Sequence, residues 1–215
     1  MPEQHSQGTI TVLAGVNGAG KSSVAGAYLR QKGGDYYNPD ELTRELIQRN
    51  PGLAHATANS LAWTHGKENL ERAIRDRTDL VFETTLGART IPELLLRAAR
   101  AGMAVKVWFV GLASVDHHLR RVAARVANGG HDIPEAKIRE RWENSRLNLV
   151  RLLPHLAELI VWDNSAESDF ETNAPAPVLL LHVQAGVIIE PKNLTATPEW
   201  AKPIVAAALK LPPAS

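Results

Sequence analysis

Residues 9–22 read TITVLAGVNGAGKS, and this stretch decides the fold. Its first six residues are largely apolar and β-branched and stop at glycine, the pattern of a short buried strand. Gly15, Val16, Asn17, Gly18, Ala19, Gly20, Lys21 and Ser22 then fit G-x-x-x-x-G-K-[ST]. Glycines let such a loop curl so that its backbone N–H groups surround phosphate oxygens. A helix is expected over residues 22–32, with Val24, Ala25, Tyr28 and Leu29 on one side and Gly33-Gly34 as its stop. Its N-terminal dipole favours the same anion. Lys21 is expected to reach the β- and γ-phosphates, and the Ser22 hydroxyl to ligate Mg²⁺. The loop, together with Ser23, therefore reads as a site for ATP with Mg²⁺.

Outward from this stretch, strands and helices alternate. Short strands are expected at 35–37, 80–82, 104–112 and 159–162. Helices are expected from Pro39, over 57–77 with Leu61, Leu70 and Ile74 as the apolar stripe, from Pro92 to Arg100, over 115–127, and over 134–153 with Ile138, Trp142, Leu147 and Leu149. After a polar loop at 165–177, residues 178–183 and 187–190 flank Gln184-Ala185-Gly186, which suggests an antiparallel hairpin. A short amphipathic segment and Pro212-Pro213 end the chain. The fold expected is α/β: a P-loop NTPase-type three-layer sandwich, its mostly parallel sheet covered by helices on both faces, with a C-terminal antiparallel hairpin. One domain is expected over residues 1–215, with a core at about 9–165 and the hairpin and tail at about 166–215.

Composition narrows the function classes. A formal net charge of +1 gives no global field toward nucleic acid or anionic membrane. With no cysteine, disulfides, thiolate metal sites and cysteine nucleophiles are excluded. The N-terminus is polar and unlike a signal peptide, and no apolar run approaches the roughly 20 residues of a membrane span. A soluble, cytoplasmic protein without nucleic-acid or membrane partners is expected.

Three further groups carry chemistry. Asn38-Pro39-Asp40 places Asp40 at the carboxyl ends of the strands, where an acid can accept the proton of an attacking hydroxyl. Glu41 is its close neighbour, and acids are common in a first helical turn. In Val81-Phe82-Glu83-Thr84-Thr85, Glu83 follows a buried strand and is followed by two hydroxyls, so it is expected to bind Mg²⁺ through water or to hold a substrate hydroxyl. Arg120, Arg121, Arg125, Arg139, Arg141 and Arg146 flank the 129–132 Gly-Gly-His-Asp loop, and this helix–loop–helix is expected to serve as a closing lid that brings cations above a γ-phosphate. Any one of them alone reads more readily as a solvated basic face than as a catalytic group. His117, His118 and His131 form no metal-binding spacing, and the tryptophans read as core or rim.

Taken together, these pieces resemble the zeta-toxin family of P-loop kinases. The resemblance rests on "NPDE", "FETTL", "RRVAARVANGGHDIPEAKIRERWENSRLNL" and "VWDNS", and covers residues 9 to 165. It implies phosphoryl transfer from ATP–Mg²⁺ to a UDP-activated amino sugar, chiefly UDP-N-acetylglucosamine at its 3′-hydroxyl. It implies Lys21 and Ser22 at the phosphates and Mg²⁺, and Asp40 as general base. Glu83 with Thr84 or Thr85 would face substrate and metal. Arg125 and Arg141 would be the lid arginines, with Arg121 the substitute for either. With about eight residues before the first strand, the expectation is that any antitoxin is a separate protein or that there is none. Other small hydroxylated acceptors, or an ATP-dependent switch, fit the same loop.

Overall fold

The computed structural model describes residues 8–31, 34–166 and 176–212. The polar N-terminus, residues 32–33 of the helix stop, most of the 165–177 loop, Pro213 and the Tyr28 side chain lie outside the described residues.

Strands β1 (Thr9–Ala14), β2 (Leu80–Thr84), β3 (Ala104–Gly111), β4 (Glu158–Asp163), β5 (Val178–Gln184) and β6 (Val187–Glu190) form one sheet in the order β2-β1-β3-β4-β5-β6. The first four run parallel; β5 and β6 join antiparallel. The hairpin turn holds Ala185 and Gly186 at φ 47° and 78°, the left-handed geometry that matches strand twist in a two-residue turn. Helix α1 starts with a wide turn at Ser22–Gly26 and continues over Ala27–Gln31. It is followed by α2 (Pro39–Arg49), α3 (His55–Asp76), α4 (Thr90–Arg100), α5 (Val115–Ala127), α6 (Glu135–Leu152) and α7 (Lys202–Ala208).

The two faces of the sheet are covered unequally. Ile10, Val12 and Ala14 of β1 meet Leu70 of α3, Leu95 of α4, Leu149 of α6 and Ile204 of α7 in one large core. On the opposite face Leu13 packs with Ala25 of α1 and with Tyr36, and this smaller cluster is flanked by Trp108.

Several expectations are corrected. Residues 35–37 make only a single bridge, Tyr37 to Phe82. Asn38 caps α2 by accepting from the Asp40 N–H, and Pro39 begins the helix, so no strand residues remain to pair. The buried stripe of α3 is Ala58, Ala62, Gly66, Leu70, Ala73 and Ile74, whereas Leu61 is 49% exposed. Small residues win because the Tyr37 ring lies on Gly66, where an added Cβ would come within 2.6 Å of it. Leu147 of α6 is likewise exposed, and the helix buries Ile138, Ser145, Asn148, Leu149 and Leu152. The C-terminal tail is part of the core: Trp200 is 3% exposed and packs on Phe109, with Ile204 and Ala208 buried behind it.

Candidate functional site

The phosphate-binding loop leaves β1 between two strands that constrain it. Gly15 has φ 144°, and a Cβ there would lie 2.3 Å from the Val110 carbonyl oxygen of β3. Gly20 has φ 87° and sits against Asn164, whose side-chain amide donates to the Ala19 carbonyl at 2.8 Å. Only glycine fits either position. The loop then enters α1 with Lys21 already helical.

Parallel pairing of β1 with β2 sets Leu13 opposite Glu83, so the strand end that feeds the loop lies beside that carboxylate. Lys21 Nζ is 3.3 Å from Glu83 Oε1, and the Ser22 hydroxyl donates to Glu83 Oε2 at 2.8 Å. Lys21 and Glu83 are both buried. The structure therefore brings the expected lysine, hydroxyl and carboxylate into one network. Thr84 and Thr85 follow Glu83 in the chain and bond the backbone beyond it. Their hydroxyl oxygens accept the Leu86 and Gly87 N–H groups, closing the turn after β2.

Asp40 sits in the first turn of α2 and lines an open cleft of about 720 Å³. Ser22 is the one loop residue in that lining; Arg44, Ile47 and Gln48 of α2 and His55 continue one wall. Arg125, residues 128–131 and Ile133 form the other. The cleft thus adjoins the phosphate loop at the Ser22 hydroxyl and runs away from it along α2.

The arginines separate into roles. Arg141 Nη1 donates to Asn17 Oδ1 at 2.7 Å, tying α6 to the phosphate loop. Burial lowers the pKa of Arg141, while the Asp40 and Glu140 carboxylates act the opposite way. Arg125 Nη2 donates to the His131 carbonyl at 2.9 Å, which holds the Gly-Gly loop against α5. Arg121 Nη2 donates to the Asn164 and Ala166 carbonyls. Arg139 pairs with Glu135 and Asp116 at the surface, and Arg146 lies over the Trp142 ring and pairs with Glu143.

Two histidine features escaped the sequence reading. His118 is fully buried, and its Nδ1 lies 2.9 Å from the Asn17 carbonyl oxygen. Burial pushes its pKa down to about 4, so the ring is neutral near pH 7 and Nδ1 carries the donated proton. Asn17 is thereby held through its main chain by α5 and through its side chain by α6. The signal was the position of His118 four residues before buried Val122, on the inner face of α5. The other feature is the stack of His131 on His55, ring centroids 3.5 Å apart, across the cleft. Nothing in the local pattern marks His55.

Residues 10–147 match the AAA domain family, across the loop, Asp40, Glu83 and both helices flanking the Gly-Gly loop. The chain belongs to this family. Within the AAA domain family the match reaches a P-loop domain, coarser than the zeta-toxin resemblance. The chain is 27% identical over 128 residues to an uncharacterized protein of Haemophilus influenzae, spanning 60% of this chain and 88% of that protein. The crystal structure of the native AvrRxo1-ORF1:ORF2 complex contains a chain with the same fold, at TM-score 0.66 and 17% identity over 91% of this chain. The corresponding crystal structure with ATP gives TM-score 0.64 and 17% identity over 95% of this chain. This chain spans 63% and 64% of the lengths of those two solved chains. Among the described residues no helix is long and apolar enough to cross a membrane.

Proposed function

We propose that this chain is an ATP-dependent kinase of zeta-toxin type, transferring the γ-phosphoryl group of ATP to a sugar hydroxyl of a UDP-activated amino sugar such as UDP-N-acetylglucosamine. The observation that carries the reading is the Lys21–Glu83–Ser22 network, with Ser22 also lining the cleft that Asp40 lines. A nucleotide switch has no need of a carboxylate in an acceptor-sized cleft beside its phosphate loop.

In the proposed reaction the acceptor hydroxyl lies between Asp40 and the γ-phosphorus. Asp40 takes the hydroxyl proton as the new O–P bond forms, and the bond to the bridging oxygen breaks to release ADP. Lys21 and the backbone N–H groups of residues 15–22 hold the phosphates, with Arg121 at the nucleotide. Arg141 and Arg125 supply positive charge to the phosphoryl oxygens. Glu83, with Thr84 or Thr85, orients the acceptor. The Ser22 hydroxyl and the Glu83 carboxylate are hard oxygen donors and fit Mg²⁺, directly or through water. When bound, that cation neutralises charge on the β- and γ-phosphate oxygens. The proposal includes a separate, antitoxin-type protein partner, in line with AvrRxo1-ORF1, which was crystallised with ORF2.

The test is a transfer assay with ATP–Mg²⁺ and UDP-N-acetylglucosamine, read as a mass gain of about 80 Da for one phosphoryl group. A gain with the wild type that is absent with Asp40→Asn supports both the acceptor and the base. No gain there, with a gain on another metabolite of a cell extract, moves the acceptor and keeps the kinase. No transfer to any acceptor removes the reading.

A further inference from the structure

Asp40, Arg44 and Gln48 are four residues apart on α2, and all three line the same cleft. Residues at this spacing stand on one helix face, each about 6 Å further along the axis. The face therefore presents a carboxylate, then a guanidinium, then an amide, running away from Ser22.

Arg44 is placed in a particular way. Its Nε donates to the Asp40 main-chain carbonyl at 3.3 Å, which anchors the guanidinium beside the first turn. Among the described residues no carboxylate pairs with it. Glu41, three residues before it, is taken by Arg30 at 2.9 Å and by the Asn38 amide. Glu45 is taken by Arg49 at 3.7 Å. The cation across the cleft, Arg125, is tied to the His131 carbonyl. Arg44 is thus a cleft cation whose terminal nitrogens have no partner among the described residues, and a planar fork of N–H donors suits a phosphate.

Resting on the kinase reading of Asp40, we propose that Arg44 is the specificity-determining residue of the acceptor site: it binds a phosphate group carried by the acceptor about one helical turn, roughly 6 Å, from the hydroxyl that Asp40 deprotonates. Neutral sugars and polyols lack this group and are discriminated against. Gln48 and His55, further along, meet the polar remainder of the acceptor beyond its phosphate.

The probes are N-acetylglucosamine 1-phosphate and N-acetylglucosamine, with binding to the full chain measured by titration calorimetry. The wild type binds the phosphate-bearing sugar more tightly by on the order of 10- to 100-fold, the range of one charge-assisted contact. Arg44→Gln collapses that ratio toward one. Arg49→Gln removes the same charge from α2 outside the cleft and preserves the ratio, which separates contact from long-range field. Equal binding of the two sugars by the wild type, no binding of either, or a ratio that survives Arg44→Gln overturns the proposal. Adding ATP–Mg²⁺ to the same samples separates this idea from its parent. An Arg44-dependent ratio without transfer to either sugar leaves the anion site standing and counts against these acceptors, the kinase reading itself falling only when no acceptor is phosphorylated; transfer without the ratio keeps the kinase and removes the anion site.

Discussion

Glu83 Oε1 lies 3.3 Å from Lys21 Nζ, and neither side chain is more than 9% exposed. The lysine of the phosphate loop is thus paired with a carboxylate from the neighbouring strand. A buried charge of either sign depends on its partner, because removing one leaves the other desolvated and alone. In the proposed reaction, phosphate entering the loop exchanges one anionic partner of Lys21 for another.

That exchange predicts non-additive stability. Lys21→Ala is expected to destabilise the nucleotide-free protein by up to about 3–5 kcal/mol, since Glu83 is left buried and unpaired. Combining it with Glu83→Gln should recover most of the loss, giving a coupling energy of at least about 1 kcal/mol in a double-mutant cycle. Urea unfolding of the four proteins measures it. Strictly additive losses would mean that the pair is already solvent-screened.

Asp40 should behave in the opposite manner. Its side chain is exposed in the cleft, so Asp40→Asn is expected to change unfolding free energy by no more than about 0.5 kcal/mol. Phosphoryl transfer should nevertheless fall by about 10²- to 10⁴-fold, the range for losing a general base. ATP affinity, followed by calorimetry, should stay within about twofold, because the proposed reaction puts Asp40 on the acceptor side. A variant that keeps most of its turnover removes Asp40 as the base.

His118 makes the fold pH-sensitive. Its pKa is about 4 in the folded protein and near 6.5 when exposed, so between those values the unfolded chain binds more protons than the folded one. Stability therefore rises with pH across this window, and is lost as pH falls from about 6.5 toward 4. The loss is on the order of 3 kcal/mol over the full window. His118→Phe keeps the ring volume but does not titrate, and should flatten this part of the profile in urea unfolding between pH 7 and pH 4.5. His131, also lowered by burial and by His55 and Arg125, adds a slope of the same sign. An unchanged profile in His118→Phe would place the pH dependence elsewhere.

The parts of the molecule that were legible in the sequence are those whose physics is local. Gly15 to Ser22 must satisfy backbone conformation and phosphate chemistry within eight residues, so the pattern is compulsory. Helix α5 was readable to its ends because Ser114 caps it by accepting the His117 N–H and the Asn128-Gly129-Gly130 run ends it. Leu61 and Leu147 misled because hydrophobicity marks the capacity to be buried, while the partner surface decides what is buried. Against the Tyr37 ring the helix needs glycine, not leucine. Asn17 illustrates the same limit at the site. Its motif places it in the loop, but its two restraints come from residues 101 and 124 positions away.

The tail supplies the last prediction. Trp200 lies against Gly111, where an added Cβ would come within 2.2 Å of the indole ring. Gly111 ends β3, and the loop after it leads into α5, which carries His118 and Arg125. The indole thus packs where the central strand hands over to the helix that grips the phosphate loop. Trp200→Ala should cost about 3–5 kcal/mol, as for other large aromatic truncations in a core. Gly111→Ala attacks the same contact from the other side by overpacking, at about 1–3 kcal/mol. If the two act through one contact, Gly111→Ala should cost much less in a Trp200→Ala background, where the ring is gone. Denaturant titrations of the single and double variants test this. Equal costs of Gly111→Ala in both backgrounds would show that the strand end, and not the indole, resists the added methyl group.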